Sequence, residues 1–322
     1  MIKVIEPGIS TTVQDLGRFG HYHIGMPPSG AMDLFSHKVA NYLVGNDESD
    51  ATLEITYQGP DLKFEADATI AIAGADMDAT VDDEPIATWE SHQINAGDVL
   101  SFDFSAEGAR SYLAVAGGID VPLMMESRST YPLIGIGGHE GRPLQNGDTL
   151  PIGHVDDDSV RSDRRVPDEH RPTYSDMEPI RVVMGLCEYR LTDESKAEFL
   201  DTEWTVTPEA DRVGYRVDGI DLEFIEREQP FGAGTDPSNV VDLGYPIGSI
   251  QVPEQPIVLM RDAVTGGGYA TIGTVISPDR NRLAQHRTHQ SFSFEAVSID
   301  EALAAREALS DRLEAIHAAV NK

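Results

Sequence analysis

Residues 68–77 read ATIAIAGADM, and the chain continues with ESHQINAGDVLSFDF at 90–104 and RSYLAVAGGID at 110–120. Each of these short runs is bounded by Gly or Asp, which is the pattern of antiparallel strands separated by turns. We therefore predict a barrel-like β unit over residues 1–154.

Two similar turns recur in this half, INAGDVLSF at 94–102 and LQNGDTLPI at 144–152. Asn or Ala, followed by Gly and Asp, is a composition typical of tight turns. We expect each turn to join two strands that pair with each other.

The second half is also rich in strand patterns, with IRVVMGL at 180–186 and IQVPEQPIVLMRDAVTGGGYATIGTVI at 250–276. We predict a second β-barrel unit over 180–322. Residues 155–179 are polar, mixed in charge and contain proline, so they are predicted to form an exposed connection. Cys187, the only cysteine, is expected to be a small buried residue on a strand.

Two helices are predicted. The first follows Asp33 and ends at Gly45, which suits a left-handed cap. The second covers 298–320, where Ser298 and Glu301 have the spacing of a capping box. Its predicted apolar face consists of Leu303, Leu309, Leu313, Ile316 and Val320.

The composition is strongly acidic. The chain has 322 residues, a formal net charge of -31 and 24 Lys and Arg residues against 55 Asp and Glu residues. The carboxylates are spread along the chain, as in halophilic archaeal proteins. Such a surface repels polyanions, so nucleic acid and anionic membranes are excluded as expected partners. No leader segment or apolar run of membrane-spanning length is recognisable, so we expect a cytoplasmic protein.

The stretch from 11 to 46, TTVQDLGRFGHYHIGMPPSGAMDLFSHKVANYLVGN, is the strongest functional clue. Its glycines allow backbone conformations that other residues adopt only with strain. Charged and amide residues are interleaved among them, so the segment is predicted to be shaped around a ligand. The alternative is a long structural connection.

The chain resembles a family whose members are called allophanate hydrolase subunit 2, urea amidolyase-related protein or the C subunit of 5-oxoprolinase. The motifs that carry the resemblance are TTVQDLGRFG (11–20), SGAMD (29–33), ANYLVGN (40–46), DRVGYR (211–216), GSIQVPEQPIVLMRD (248–262), TGGGY (265–269) and LAQ (283–285). The resemblance implies a mainly β fold with a few helices, in which two cyclophilin-like β-barrel units follow each other. One difference is that Thr288, His289 and Gln290 replace the Pro-Gly-Asp turn usual in the family.

Several chemistries suggested by these family names are excluded by the sequence. No Gly-x-Ser-x-Gly elbow occurs, and no lysine lies in a stretch typical of an amidase. No lysine follows a glycine, so a P-loop is absent, and the Met-Lys-Met setting of a biotin carrier is missing. His21 and His23 would point to the same side of an extended strand, as metal ligands do. A further Glu and His at suitable spacing are not recognisable, so no metal is predicted. His286 and His289 are expected at the surface.

The remaining candidates have side chains suited to a carboxylate or a lactam. Arginines can hold a carboxylate by two-pronged hydrogen bonds, and aspartates can orient them or act as acid-base groups. Tyrosine hydroxyls and the amides of the TGGGY run can stabilise an oxyanion, although a tight hairpin is the alternative for this run. Glutamines can pair with an amide edge. The residues predicted to be catalytic are Asp15, Arg18, Arg212, Tyr215, Asp262 and Tyr269. Those predicted to bind substrate are Gln14, Ser29, Gly30, Asp33, Arg216, Gln251, Thr265, Gly267 and Gln285.

The resemblance implies a subunit of an ATP-dependent 5-oxoprolinase, which opens the lactam of 5-oxoproline to glutamate together with a homologous B subunit and a separate A subunit. One alternative is a component of a biotin-dependent carboxyltransferase acting on urea or a urea-like amide. A second alternative is a non-catalytic regulatory or scaffold protein, because one bacterial relative acts in regulating a sporulation kinase.

Overall fold

The computed structural model describes residues 1–155, 163–175 and 178–321. The chain divides into two compact units. Unit 1 comprises Met1–Arg18, Ser29–Ser175 and Ser310–Lys322, and unit 2 comprises Phe19–Pro28 and Asp176–Leu309. These bounds differ from the predicted ones, because part of the glycine-rich stretch belongs to unit 2 and the end of the C-terminal helix belongs to unit 1.

Unit 1 is built from short antiparallel strands. They are β1 Ile2–Glu6, β2 Ser10–Gln14, β3 Thr52–Thr56, β4 Asp61–Phe64, β5 Ala68–Asp76, β6 Thr80–Val81, β7 Glu84–Pro85, β8 Ser91–Ile94, β9 Val99–Ser101, β10 Glu107–Val115 and β11 Thr149–Leu150. One sheet has the order β11-β1-β4-β9-β6-β7, and the other has the order β2-β3-β10-β5-β8. The predicted β class is confirmed.

The two sheets of unit 1 enclose one apolar core. Ile2 and Phe64 come from the six-stranded sheet, whereas Ile72 and Leu113 come from the five-stranded sheet, and all four are at most 1% exposed. Each such side chain contributes about 1.5–3 kcal/mol when it leaves water. Helix α1, Leu34–Val44, packs against β5 and β10.

The two predicted turns have the same local structure. In each, an aspartate side chain accepts a hydrogen bond from a backbone N–H three residues earlier: Asp98 from Asn95 at 2.8 Å, and Asp148 from Gln145 at 2.8 Å. The expected pairing is wrong, however. Strands β8 and β9, on either side of the first turn, lie in different sheets, and β11 pairs with β1. The first turn therefore carries the chain from one sheet to the other.

The predicted exposed connection packs against unit 1 where the structure describes it. Ser91 of the edge strand β8 donates its backbone N–H to the carbonyl of Arg164 at 2.9 Å, and Val166 is fully buried. The segment thus satisfies backbone groups of a strand that would otherwise face solvent. The parts of this connection at 156–162 and 176–177 lie outside the described residues.

Unit 2 contains a further set of strands and most of the remaining helices. The strands are β12 Ile180–Met184, β13 Trp204–Val206, β14 Gly214–Asp218, β15 Asn239–Gly244, β16 Ser249–Gln251, β17 Ile257–Leu259, β18 Gly266–Tyr269, β19 Thr271–Val275, β20 Ser291–Phe292 and β21 Phe294–Ala296. The helices are α2 Asp193–Asp201, α3 Ser277–Leu283 and α4 Ile299–Val320, and the part of α4 from residue 310 onward belongs to unit 1. Short 3-10 helices over the two units span Tyr22–Ile24, Pro132–Ile134, Asp168–His170 and Glu188–Arg190.

Eight strands of unit 2 form a nearly closed barrel. The order is β20-β13-β14-β17-β16-β19-β12-β21, while β15 and β18 form a separate two-stranded sheet. The two edge strands of the large sheet, β20 and β21, are separated only by Ser293. The edges must therefore lie close together, which is the condition for a sheet to close on itself.

Aromatic side chains fill part of the interior of unit 2. The rings of Phe199 and Phe294 stack with their centroids 4.7 Å apart, and Trp204 donates its indole N–H to the carbonyl of Phe199 at 2.9 Å. Cys187 is 7% exposed, so its burial is confirmed, but it follows β12 in a turn and does not lie on a strand.

The predicted start of α4 is confirmed. Ser298 donates its backbone N–H to the carboxylate of Glu301 at 2.8 Å, and Glu301 donates its own N–H back to the Ser298 hydroxyl at 3.2 Å. Ile316 and Val320 are buried as expected, whereas Leu303 is 47% exposed. The apolar face is therefore shorter than predicted. Over the described chain, no helix is both long and apolar enough to cross a membrane.

Candidate functional site

Asp15 lies immediately after β2 and is 6% exposed. Its carboxylate accepts hydrogen bonds from the Gly17 N–H at 2.8 Å, the Arg128 N–H at 2.5 Å, and the hydroxyls of Ser127 and Ser129 at 2.7 and 2.5 Å. These four hydrogen bonds satisfy both oxygens of the carboxylate. Asp15 therefore fixes the 127–129 segment to the end of β2.

Arg18 is 1% exposed, and its guanidinium donates to the carbonyl of Ser129. Gly137 lies directly against this contact with φ +69°. A Cβ at that position would be 2.0 Å from the Ser129 oxygen and 2.6 Å from Arg18 Nη2. The main chain at position 137 can lie this close to the Arg18 guanidinium only because the residue is glycine. This close packing holds the guanidinium inside unit 1.

Asp33 is the N-cap of α1. Its carboxylate accepts from the Phe35 N–H at 3.0 Å, the Ser36 N–H at 3.1 Å and the Ser36 hydroxyl at 2.6 Å. Gly45 ends the helix with φ 80°. Both predicted helix ends are confirmed, and the capping role of Asp33 accounts for its position without a ligand.

A buried carboxylate that the sequence pattern did not reveal lies beside Asp33. Glu54 on β3 is 1% exposed and accepts from the Met32 N–H at 2.7 Å and from the Tyr112 hydroxyl at 2.8 Å. Burial raises the pKa of Tyr112 well above its usual value, and the charge of Glu54 raises it further. Arg110 lies 3.9 Å from the Glu54 carboxylate. The sequence feature that could have revealed Glu54 is an acidic residue within the otherwise uncharged strand TLEIT.

Gln14, Ser29 and Gly30 lie in unit 1 with Asp15, Arg18 and Asp33. The Gln14 amide donates to Thr12 at 3.0 Å, and no described residue satisfies its buried Oε1. Ser29 has φ 54° and is fully buried, and its hydroxyl likewise has no partner within the described ranges. These buried polar atoms are candidates for contact with a bound molecule.

In unit 2, Asp262 holds Arg212 by a two-pronged ion pair, with Nε–Oδ2 and Nη2–Oδ1 distances of 2.8 and 3.2 Å. Asp262 has a side-chain exposure of 3% and Arg212 of 15%. A forked pair of this kind orients a guanidinium strongly. Arg216, in contrast, is exposed and lies 3.4 Å from Glu209, which is the geometry of a surface salt bridge.

The two candidate tyrosines have different surroundings. Tyr215 is 2% exposed, and its hydroxyl donates to the carbonyl of Ala284 at 3.2 Å. The Tyr215 hydroxyl would have to break this hydrogen bond before it could donate to a substrate. Tyr269 is 43% exposed, and its backbone N–H donates to the hydroxyl of Tyr245 at 2.7 Å. Tyr269 is therefore the better placed of the two as a proton donor.

The TGGGY run is a strand rather than a tight hairpin. Gly266 pairs with Gly244 and Gly267 pairs with Leu243, so the run is one edge of the two-stranded sheet β15-β18. Thr265, directly before it, accepts from the Tyr245 N–H at 2.9 Å. The tight hairpin given as the alternative for this run is not formed, because the run pairs with the distant segment Asn239–Gly244.

Gln251 and Gln285 are both buried in unit 2, at 5% and 0% exposure. Gln251 ends β16 and is the direct pairing partner of Thr271 on β19. Gln285 follows α3 and donates its backbone N–H to the carbonyl of Arg282 at 3.0 Å. The substrate-binding candidates of unit 2 are thus distributed over the barrel and the β15-β18 sheet.

The histidines do not form a metal site in the described parts of the chain, where no group of three His, Cys, Asp or Glu residues has a suitable arrangement. His21 and His23 flank or lie in a 3-10 helix, so the extended arrangement considered for them is absent. His289 is exposed as expected. The surface position predicted for His286 is wrong, since it is fully buried against the ring of Phe292.

His286 should make the fold sensitive to acid. Burial lowers the pKa of His286 to about 4 from its usual 6.5. Between these two values the unfolded chain takes up a proton that the folded chain does not. The free energy of unfolding should therefore fall by roughly 3 kcal/mol as the pH drops from 6.5 to 4, with no further loss from this group below that range.

Denaturant titrations at a series of pH values in molar KCl would measure this loss. Other carboxylates also contribute to acid sensitivity, so the comparison is between the native chain and His286→Gln. The variant should lose distinctly less stability over this pH range. Equal pH dependence of the two proteins would contradict the prediction.

The family model "Carboxyltransferase domain, subdomain A and B" matches residues 24–296. The chain belongs to this carboxyltransferase domain family. It is 38% identical to the C subunit of 5-oxoprolinase from Escherichia coli over 311 residues, which cover 95% of this chain and 94% of the relative.

Other relatives of this carboxyltransferase-family chain are much longer proteins. Urea amidolyase of Lachancea kluyveri is 32% identical over 98% of this chain, but the match covers 18% of that protein. The crystal structure of the K. lactis urea amidolyase superposes with a TM-score of 0.92 and 31% identity, covering 98% of this chain and 20% of that one. These matches confirm the family and the fold expected from the sequence.

Proposed function

We propose that this chain is part of an ATP-dependent 5-oxoprolinase complex that opens the lactam of 5-oxoproline to glutamate. The observation that supports this is the nearly complete mutual coverage with the C subunit of 5-oxoprolinase. The urea amidolyases match over an equally long part of this chain but contain large additional regions. The A and B subunits of 5-oxoprolinase are the proposed partners.

The contribution of this chain to the reaction is substrate binding and charge stabilisation. Arg212, oriented by Asp262, is suited to the carboxylate of 5-oxoproline. Tyr269 is placed to donate a proton or hydrogen bond to the lactam as its amide bond breaks. Because the sequence contains no Gly-Lys pair, the residues do not fit a P-loop, and we assign ATP to another subunit.

A second candidate function is the transfer of a carboxyl group from biotin to a urea-like acceptor. The TM-score of 0.92 with a urea amidolyase favours it. The same arginine and tyrosine would then hold a carboxylated intermediate. Reconstitution separates the two proposals, because only the first predicts glutamate formation without any biotin-bearing protein.

The test combines the purified chain with the A and B subunits in high salt and measures glutamate released from 5-oxoproline with ATP. The complete mixture should release glutamate, and the mixture lacking this chain should not. If both mixtures release glutamate equally, or neither does, the proposed function is wrong.

Tyr269→Phe should lower kcat in the complete mixture by roughly 100-fold, the usual effect of removing one donor to a developing negative charge. Its melting temperature should be nearly unchanged because the substitution keeps the ring, and Tyr269 is 43% exposed. Tyr189→Phe is the matched control, since Tyr189 is an exposed tyrosine of the same unit, at 57%. Full activity in Tyr269→Phe would remove Tyr269 from the site.

A further inference from the structure

Gln251 and Thr271 face each other across the β16-β19 pair of the barrel in unit 2. They are 5% and 1% exposed. No described residue bonds to the Gln251 Nε2 or to the Thr271 Oγ1. The register shifts between Ile250 and Gln251, so a β-bulge precedes this pair, and beyond it Gln251 and Thr271 are again Cα partners. Side chains of such partners lie on the same side of a sheet. A donor and an acceptor are therefore placed side by side, and both lack a partner.

Such an arrangement is unusual, because buried polar atoms without partners destabilise a fold. One unsatisfied atom can be an isolated defect of packing. Two of them, on paired residues of neighbouring strands, indicate a place where a bound molecule completes the hydrogen bonds. The chemistry of the two side chains then defines what that molecule must offer.

We propose that Gln251 and Thr271 form a recognition site for the edge of a cis amide. In a small lactam the ring fixes the C=O and the N–H on the same side of the amide bond. The carbonyl oxygen accepts from the Gln251 amide, and the lactam N–H donates to the Thr271 hydroxyl oxygen. Cyclic ureas present the same edge, whereas open-chain trans amides do not.

The position of this pair on the chain suits the proposed lactam chemistry. Thr271 lies two residues after Tyr269, the exposed tyrosine proposed as proton donor. The Cys187 N–H donates to the Thr271 carbonyl at 2.9 Å, so the backbone at this position is fixed. The inference adds Thr271 to the substrate-binding residues and rests on the proposed function only for the identity of 5-oxoproline as the natural lactam.

Thr271→Val removes the unpartnered hydroxyl while keeping the shape of the side chain. A residue with only a structural role would gain stability from this change, because a buried polar atom without a partner disappears. The proposal predicts that this gain is accompanied by loss of ligand binding. Thr207→Val is the matched control, since Thr207 in unit 2 also has a buried hydroxyl without a partner among the described residues.

Binding to the purified chain would be measured by ligand-detected NMR with three probes: 2-pyrrolidinone, 2-imidazolidinone and N-methyl-2-pyrrolidinone. The first two should bind, and the N-methylated lactam should not. Thr271→Val and Gln251→Glu should each weaken binding about tenfold or more, the effect of losing one hydrogen bond in a buried site. Thr207→Val should bind like the native chain.

Any one of three outcomes would overturn the inference. They are no binding of either cyclic amide, equal binding of the N-methylated lactam, and unchanged binding by both variants. The outcome is independent of the proposed function. A complex that releases no glutamate, although the two variants lose 2-imidazolidinone binding, rejects the function and supports the site. A complex that turns over 5-oxoproline with an unchanged KM in Thr271→Val rejects the site alone.

Discussion

Asp15→Ala should lower the free energy of unfolding by about 3–5 kcal/mol. The substitution removes one acceptor and leaves four donors of Gly17, Ser127, Arg128 and Ser129 without it. Two of these donors are backbone N–H groups that cannot turn toward another partner. Urea titration in molar KCl, where the charges of the chain are screened, would measure the loss.

Asp98→Ala is the matched control for this prediction. Asp98 also accepts a backbone hydrogen bond in a turn, from Asn95 at 2.8 Å, but it lies near the surface, where water replaces the lost acceptor. We expect it to cost about 1 kcal/mol or less. Similar losses for Asp15→Ala and Asp98→Ala would show that the buried network contributes little.

Gly137→Ala should destabilise unit 1 by several kcal/mol. The added methyl would be placed 2.0 Å from the carbonyl oxygen of Ser129 and 2.6 Å from Arg18 Nη2, and the backbone has φ +69°. Relief of this overlap requires movement of the Ser129 main chain, whose carbonyl accepts from Arg18 and whose side-chain hydroxyl bonds to Asp15. The expected loss exceeds the roughly 1–2 kcal/mol of a left-handed alanine alone.

Gly135→Ala separates these two contributions. Gly135 lies two residues earlier with an almost identical φ of +68°, and nothing lies within 4 Å of the position of its added methyl. It should show only the backbone cost. The difference in unfolding free energy between the two variants therefore measures the steric overlap, and equal values would contradict the contact described around Arg18.

Much of the local structure could be predicted from the sequence because its causes are local. Asp33 and Gly45 identify the ends of α1 through contacts within a few residues, and Ser298 and Glu301 do the same for the start of α4. Helix α2 was missed although Thr192 caps it by accepting from the Ser195 N–H at 3.1 Å. Its apolar periodicity is weak over nine residues.

Features that depend on residues distant in the sequence could not be predicted from local sequence patterns. The TGGGY run forms a strand only because β15 lies beside it, and Leu303 is exposed although it fits the helical period. For the candidate site, the family motifs point to Asp15, Arg18 and Gln251, whose roles stay predictions. They did not identify Glu54 or Thr271, whose positions follow from pairing between strands.

The order of strands in the barrel of unit 2 has a consequence for synthesis on the ribosome. β12 is the first strand of the barrel in chain order, and one of its two edges pairs with β21. That edge remains unpaired until residues 294–296 have been synthesised. Unit 1 also takes residues from 310 onward. Nascent chains stopped before residue 291 should therefore need a chaperone to avoid aggregation, because strand edges remain unpaired until residues 291–296 have been synthesised.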